Sequence, residues 1–182
     1  MLLYSTQLQT GWVGPDFTLP SAKGDDYHFY IHHPKKGLVV FFTCNHCPYA
    51  KAAWPLLIDL YHKYNKKGFE FIAINSNDEK AYPDDSFEEM KNKVGEWSIP
   101  FPYLRDESQE IAKKYQAQCT PDVYLFDSQK KLFYRGRVND NWKDPEKVTR
   151  NDLDESLKRL LIGDKPPVEQ FPSMGCSIKW KE

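Results

Sequence analysis

The order of elements along this chain predicts an α/β fold: a central mixed β-sheet with helices on both faces. Three observations carry that reading. The run Leu38-Val39-Val40-Phe41-Phe42 is wholly apolar and reads as a strand buried on both faces. A long helical stripe follows it, and then a second apolar run, Phe69 to Ile74. Strand, helix and strand in that order give a parallel pair joined by a crossover. Farther on, Val123–Phe126 and Leu132–Tyr134 flank the polar turn Asp127-Ser128-Gln129-Lys130 and read as an antiparallel hairpin, with a helix after it.

The elements follow in order. Gly11 to Pro20 is turn-rich and reads as an irregular or edge segment, and Tyr27–Ile31, rich in aromatic and β-branched residues, as a short strand. His32 and His33 are adjacent, so on a strand they point to opposite faces and make no metal pair. From Pro48, the residues Tyr49, Ala53, Leu56, Leu57, Leu60 and Tyr64 recur at helical spacing. Pro55 falls within that stripe and predicts a kink, and Gly68 signals the end. Asp85-Ser86-Phe87-Glu88-Glu89 has capping-box spacing and starts a helix running to about Gly95. The helix dipole accounts for those acidic residues, so no chemistry is assigned to them. Ile99–Tyr103 reads as extended, Ser108–Tyr115 and Asp152–Ile162 as helices, and Arg135 and Arg137 as solvated edge charges.

A chain of 182 residues is expected to form one domain, 1–182, burying roughly 70% of its unfolded surface. An N-terminal extension of about 1–25 and an irregular tail of about 164–182 are expected at its ends. With 25 basic and 26 acidic residues, the charge balance suggests neither a nucleic-acid partner nor an anionic membrane. The opening residues lack the pattern of a secretory leader, and the apolar runs are too short to span a bilayer. Four cysteines with one close pair point to a reducing, cytoplasmic setting.

That pair is Cys44-Asn45-His46-Cys47, delivered by a buried strand to the start of a helix. Amide N–H groups at a helix N-terminus stabilise a thiolate, the reactive form of cysteine. Two sulfurs about one turn apart can also close a disulfide. The pattern is that of a redox motif. Structural zinc needs four ligands, and Cys44, His46 and Cys47 supply only three locally, so no metal site is assigned and a metal-binding or redox-inert scaffold is the rival reading.

Cys44-x-x-Cys47, the helix after it, and Thr120-Pro121 before a hairpin together resemble the thioredoxin fold, and more narrowly its redoxin or peroxiredoxin-like branch. Pro15-Asp16-Phe17-Thr18-Leu19, Leu104-Arg105-Asp106, Tyr134-Arg135-Gly136-Arg137 and Gly175-Cys176-Ser177-Ile178-Lys179-Trp180 are similar to segments of that branch. The resemblance implies a thiol–disulfide oxidoreductase with antioxidant-type thiol chemistry and no cofactor. Its partner would be a protein disulfide, a dithiol or another electron donor. It implies a cis bond before Pro121, with Thr120 and Pro121 offering a substrate-docking edge and Thr43 and Asn45 lying beside it.

Two departures shape that reading. Aligning Cys47 with the peroxide-attacking cysteine puts Cys44 where the family has threonine and Val40 where it has proline, which leaves a Cys47 peroxidase as the alternative. The strand Leu38–Phe42 also lacks the buried aspartate of ordinary thioredoxins, so a water-borne relay is expected in its place. Cys44 is assigned as the exposed nucleophile, Cys47 as the buried resolving thiol, and His46 as the group that lowers the pKa of Cys44. Cys119 and Cys176 are each open to two readings, accessory thiol or packed residue.

Overall fold

The computed structural model describes residues 1–182. Its seven-stranded sheet is built from β2 (Thr18–Ser21), β3 (Gly24–His28), β4 (Gly37–Phe42), β5 (Phe69–Asn75), β6 (Tyr103–Arg105), β8 (Asp122–Asp127) and β9 (Leu132–Gly136). The spatial order is β3-β2-β6-β5-β4-β8-β9. Strand β4 lies inside the sheet, parallel to β5 and antiparallel to β8. Helix α1 (Pro48–Tyr64) crosses from β4 to β5, and α2 (Phe87–Glu96), α3 (Glu110–Lys114) and α4 (Asp152–Leu161) complete the layers. No helix is long and apolar enough to cross a membrane.

The period of two along the strands divides the interior into two cores. Val39 and Phe41 of β4, Phe71 of β5 and Leu125 of β8 face one side, where Trp54 and Leu57 of α1, Met90 of α2 and Leu157 of α4 cover them. Leu38, Val40 and Phe42, with Ile72, Ile74, Tyr124 and Phe126, face the other, under Phe17, Phe29, Tyr115 and α3. A strand apolar on both faces is therefore required at β4. Each fully buried large side chain contributes about 1.5–3 kcal/mol relative to exposure.

Several expectations are corrected. The N-terminal extension over 1–25 contains β1 (Leu2–Tyr4), β2 and the start of β3, and the tail expected to be irregular over 164–182 contains β10 (Met174–Ser177). With β7 (Cys119–Thr120), they form a separate three-stranded sheet in the order β1-β10-β7. The strand expected at Tyr27–Ile31 shifts to Gly24–His28, because pairing of Leu19 with Tyr27 sets the register of this polar edge.

Arg135 is not a solvated charge. It is buried, with Nη2 donating to Asp122 Oδ2 at 2.8 Å and to the Gln116 carbonyl at 2.8 Å, and its guanidinium lies 4.6 Å from the centre of the Tyr124 ring. Arg137 is partly buried and donates to Asp152 Oδ2 at 2.7 Å. The chain from 164 onward folds over β9, and it removes these groups from the edge that the sequence suggested: Gln170 takes the Arg135 backbone N–H at 2.9 Å.

Candidate active site

Strand β4 ends at Phe42, and Thr43 to His46 form a loop before α1. Pro48 is the first residue of the helix and Cys47 its N-cap, which reverses the expected order: Cys47, not Cys44, is closer to the helix dipole. Neither sulfur is at the surface, both residues being 0% exposed, so the expectation of an exposed Cys44 fails. The reason is the segment Cys119-Thr120-Pro121, which closes over them. Thr120 Oγ1 is 3.3 Å from Cys44 Sγ, and the Cys47 thiol points at the Thr120 carbonyl, 3.5 Å away. The Thr120–Pro121 bond is cis.

Sequence reasoning missed Asp85. It is fully buried in the short turn before α2, and four N–H donors converge on its carboxylate. Oδ1 accepts from the Asn45 backbone at 2.6 Å and Asn75 Nδ2 at 3.3 Å. Oδ2 accepts from Asn77 Nδ2 at 2.8 Å and pairs with His46 Nδ1 at 2.5 Å. The His46 ring stacks on Tyr82, 5.1 Å between centres. A buried carboxylate thus stands beside the cysteines after all, brought by a different element from the one where it was sought. His46 is correspondingly committed to Asp85, and lowering the Cys44 pKa is not what it does here. Its own pKa is raised by the bond to Asp85, and that of Asp85 is lowered by His46, Asn77 and the Asn45 amide in spite of burial.

The two thiols are pushed apart electrically. Burial raises Cys44 well above the usual thiol range, its hydrogen bond with Cys47 raises it further, and the negative charge of Asp85 adds to both. Cys47 is lowered to about 4, chiefly because Cys44 acts as its donor, with Cys176 and the backbone N–H groups of Ala50 and Cys176 assisting. The Thr120 carbonyl favours the thiol form of Cys47, and these donors outweigh it. These effects favour the thiolate on Cys47 and the thiol on Cys44.

The remaining predicted residues fall into place around this pair. Thr43 and Asn45 are buried, and Asn45 is spent internally: Nδ2 donates to the Asp84 carbonyl at 2.8 Å, and Oδ1 accepts from Tyr103 Oη at 2.9 Å. Neither can meet a substrate from that position. The backbone edge at Thr120 is already paired, with Cys176 of β10 opposite it. Cys119 is buried and its pKa is raised by burial, which makes it a packed residue. Cys176 is partly exposed and packs against Cys44 and Cys47. An apolar groove of about 350 Å³ runs beside Pro121 and Met174, walled by Tyr49, Leu56 and Trp142, and no cysteine lines it.

As for a metal, the ligand atoms that lie close are those of Cys44, His46 and Asp85, all within 4.8 Å of one another, rather than the Cys44, His46 and Cys47 set weighed from the sequence. All four lone-pair positions of Asp85 are occupied by N–H groups. An ion there would have to displace them.

A thioredoxin-like sheet with a Cys-x-x-Cys pair at the head of its crossover helix, under a cis-proline loop, defines a thiol–disulfide oxidoreductase. Known proteins agree. Residues 11–135 match the AhpC/TSA family, and the chain belongs to it. The thiol-disulfide oxidoreductase ResA of Bacillus thuringiensis subsp. konkukian is 26% identical over 154 residues, spanning 85% of this chain and 80% of that protein. An uncharacterized conserved protein from Geobacillus kaustophilus superposes with a TM-score of 0.95 at 42% identity, covering 100% of this chain and 97% of the other. The thioredoxin domain of a thiol-disulfide oxidoreductase from Bacteroides vulgatus shares the fold, with a TM-score of 0.60 at 21% identity over 71% of this chain and 89% of that one.

Proposed function

We propose that this chain reduces disulfides of a protein or small-thiol partner, with Cys47 as the attacking thiolate and Cys44 as the resolving thiol. The observation that carries this reading is the placement of the pair: Cys47 caps the crossover helix, where the dipole favours a thiolate, and Cys44 lies beside it against the Thr120 hydroxyl of the cis-proline loop. Cys47 attacks one sulfur of the partner disulfide, forms a mixed disulfide and releases the first partner thiolate. Cys44 then attacks Cys47 Sγ, closes the Cys44–Cys47 disulfide and gives its proton to the second departing thiolate. Two electrons pass from the pair to the partner, and no cofactor is needed. A reducing, cytoplasmic setting would favour this direction by returning the pair to the dithiol.

The test is a redox titration against reduced and oxidised glutathione, read by alkylation and peptide mass. Cys44 and Cys47 are expected to lose alkylation together as a two-electron couple, and Cys47→Ser to abolish the exchange. No change at either cysteine across the titration would overturn the reading. A second reading, a thiol peroxidase, draws on the same ionised Cys47, since a peroxide also requires a thiolate. Peroxide consumption no faster than that of a free thiol would eliminate it.

A further inference from the structure

Three sulfurs, not two, converge on Thr120. Cys44 Sγ lies 3.3 Å from its hydroxyl and Cys47 Sγ 3.5 Å from its carbonyl. In the antiparallel pairing of β10 with β7, Cys176 stands directly opposite Thr120. Its side chain packs on the buried pair, and hydrogen bonding from Cys176 helps to lower the Cys47 pKa. Among the three, Cys176 alone reaches solvent. The seat is built for close approach. A Cβ on Gly175 would meet the Thr120 carbonyl oxygen at 2.0 Å, so glycine alone lets β10 lie this near. Leu2 of β1 flanks Cys176 on the other side, and Lys179 is tied to Asn77 Oδ1 and Gln109 Nε2, each at 2.8 Å. Cys119, one position along the same pairing, makes the contrast: it is wholly buried and turns to the Pro121 carbonyl, 3.6 Å away.

We propose that Cys176 is the third redox thiol of this site, forming a disulfide with Cys47 and passing electrons between the buried pair and thiols outside. This rests on the dithiol–disulfide reading above and adds the route by which a covered pair is reached. Starting from the Cys44–Cys47 disulfide, Cys176 gives up its proton and attacks Cys47 Sγ. A Cys47–Cys176 bond forms, and Cys44 leaves as a thiolate that takes the proton. An outside thiolate then attacks the solvent-facing Cys176 sulfur and expels Cys47, the better leaving group because its thiolate is the more stable. A second outside thiol releases the outside disulfide and restores Cys176. In total, two outside thiols are oxidised to one disulfide and one protein disulfide is reduced to two thiols.

The experiment oxidises Cys44→Ser with glutathione disulfide and maps the peptides. An intramolecular Cys47–Cys176 disulfide, one per chain, is expected; a variant that carries only Cys47–glutathione, with Cys176 free, overturns the proposal. The same bond is expected in wild-type protein quenched part-way through oxidation, so the outcome does not depend on a variant folding. Cys176→Ser is expected to slow reduction of the oxidised protein by dithiothreitol at least tenfold, and an unchanged rate also counts against it. Failure here leaves the wild-type Cys44–Cys47 disulfide in place, whereas failure of the dithiol–disulfide reading removes that bond as well.

Discussion

The chemistry at the residue scale comes from charges placed where burial makes them count. Cys47, lowered to about 4, keeps its thiolate through most of the acidic range. Thiolate absorbance of the reduced protein at 240 nm should therefore fall as pH drops through about 4, and Cys47→Ser should lack that step. Burial pushes Cys44 the opposite way, and the charge of Asp85 adds to it. Asp85→Asn removes the charge that opposes Cys44 ionisation, so alkylation of Cys44 at pH 8 should accelerate. It also breaks a buried pair, at a cost of about 3 kcal/mol in chemical unfolding. The folded pKa of Asp85 is depressed, so its contribution is present above about pH 4 and lost as pH falls through the folded value. The folded pKa of His46 is raised, so its contribution is present below about pH 6.5 and lost as pH rises through the folded value. The stability margin of wild type over Asp85→Asn should be widest between those limits. The cysteines were legible because their chemistry lies within four consecutive residues. Asp85 was not, because it is 39 residues from His46 and sits just ahead of a helix start whose acidic residues the dipole already explains.

At the scale of elements, what could be read depended on whether an element carries its own signal. Strands β4 and β5 and helices α1 and α4 do, through apolar runs or stripes. Strand β10 does not: Met174-Gly175-Cys176-Ser177 has no alternation, and it is a strand because Leu2–Tyr4 and Cys119–Thr120 pair with it on either side. The sequence placed the Thr120 edge correctly but left it open to a substrate; the chain itself fills it. The cap on α2 was legible, since Ser86 takes the Glu89 N–H at 3.3 Å. Gly175→Ala tests the seating of β10. The added methyl group has backbone against it and nowhere to go, so the strand must lift, at about 1–3 kcal/mol. Cys44 and Cys47 should then react faster with iodoacetamide in the folded protein, and an unchanged rate would mean that β10 does not control access.

For the molecule as a whole, two aromatic-rich cores on opposite faces of one sheet set the fold, and a buried ion pair pins the terminal segments to it. Asp122 on β8 and Arg135 on β9 meet where residues near the N-terminus also arrive: Arg135 Nη1 donates to Thr6 Oγ1 at 3.0 Å. Removing one partner of such a pair leaves the other charged and dry, which costs about 3–5 kcal/mol. Arg135→Met should lower the urea midpoint accordingly with little change in slope. Adding Asp122→Leu should recover much of the loss, as expected when both charges are removed together. The sequence offered no sign of this pair, because arginine on an edge strand normally reaches water, and here Asp122, the Gln116 carbonyl and Thr6 enclose it.

Trp54 adds an optical consequence. Its indole N–H donates to the Cys44 carbonyl at 3.4 Å, and its ring is fixed among Phe41, Trp97, Phe101 and Tyr103. A fluorophore clamped to the backbone of a reactive cysteine senses that cysteine's bonding directly. Emission from this one indole should step when the disulfide closes, and Trp54→Phe should erase the step, so that turnover can be watched in real time without a dye.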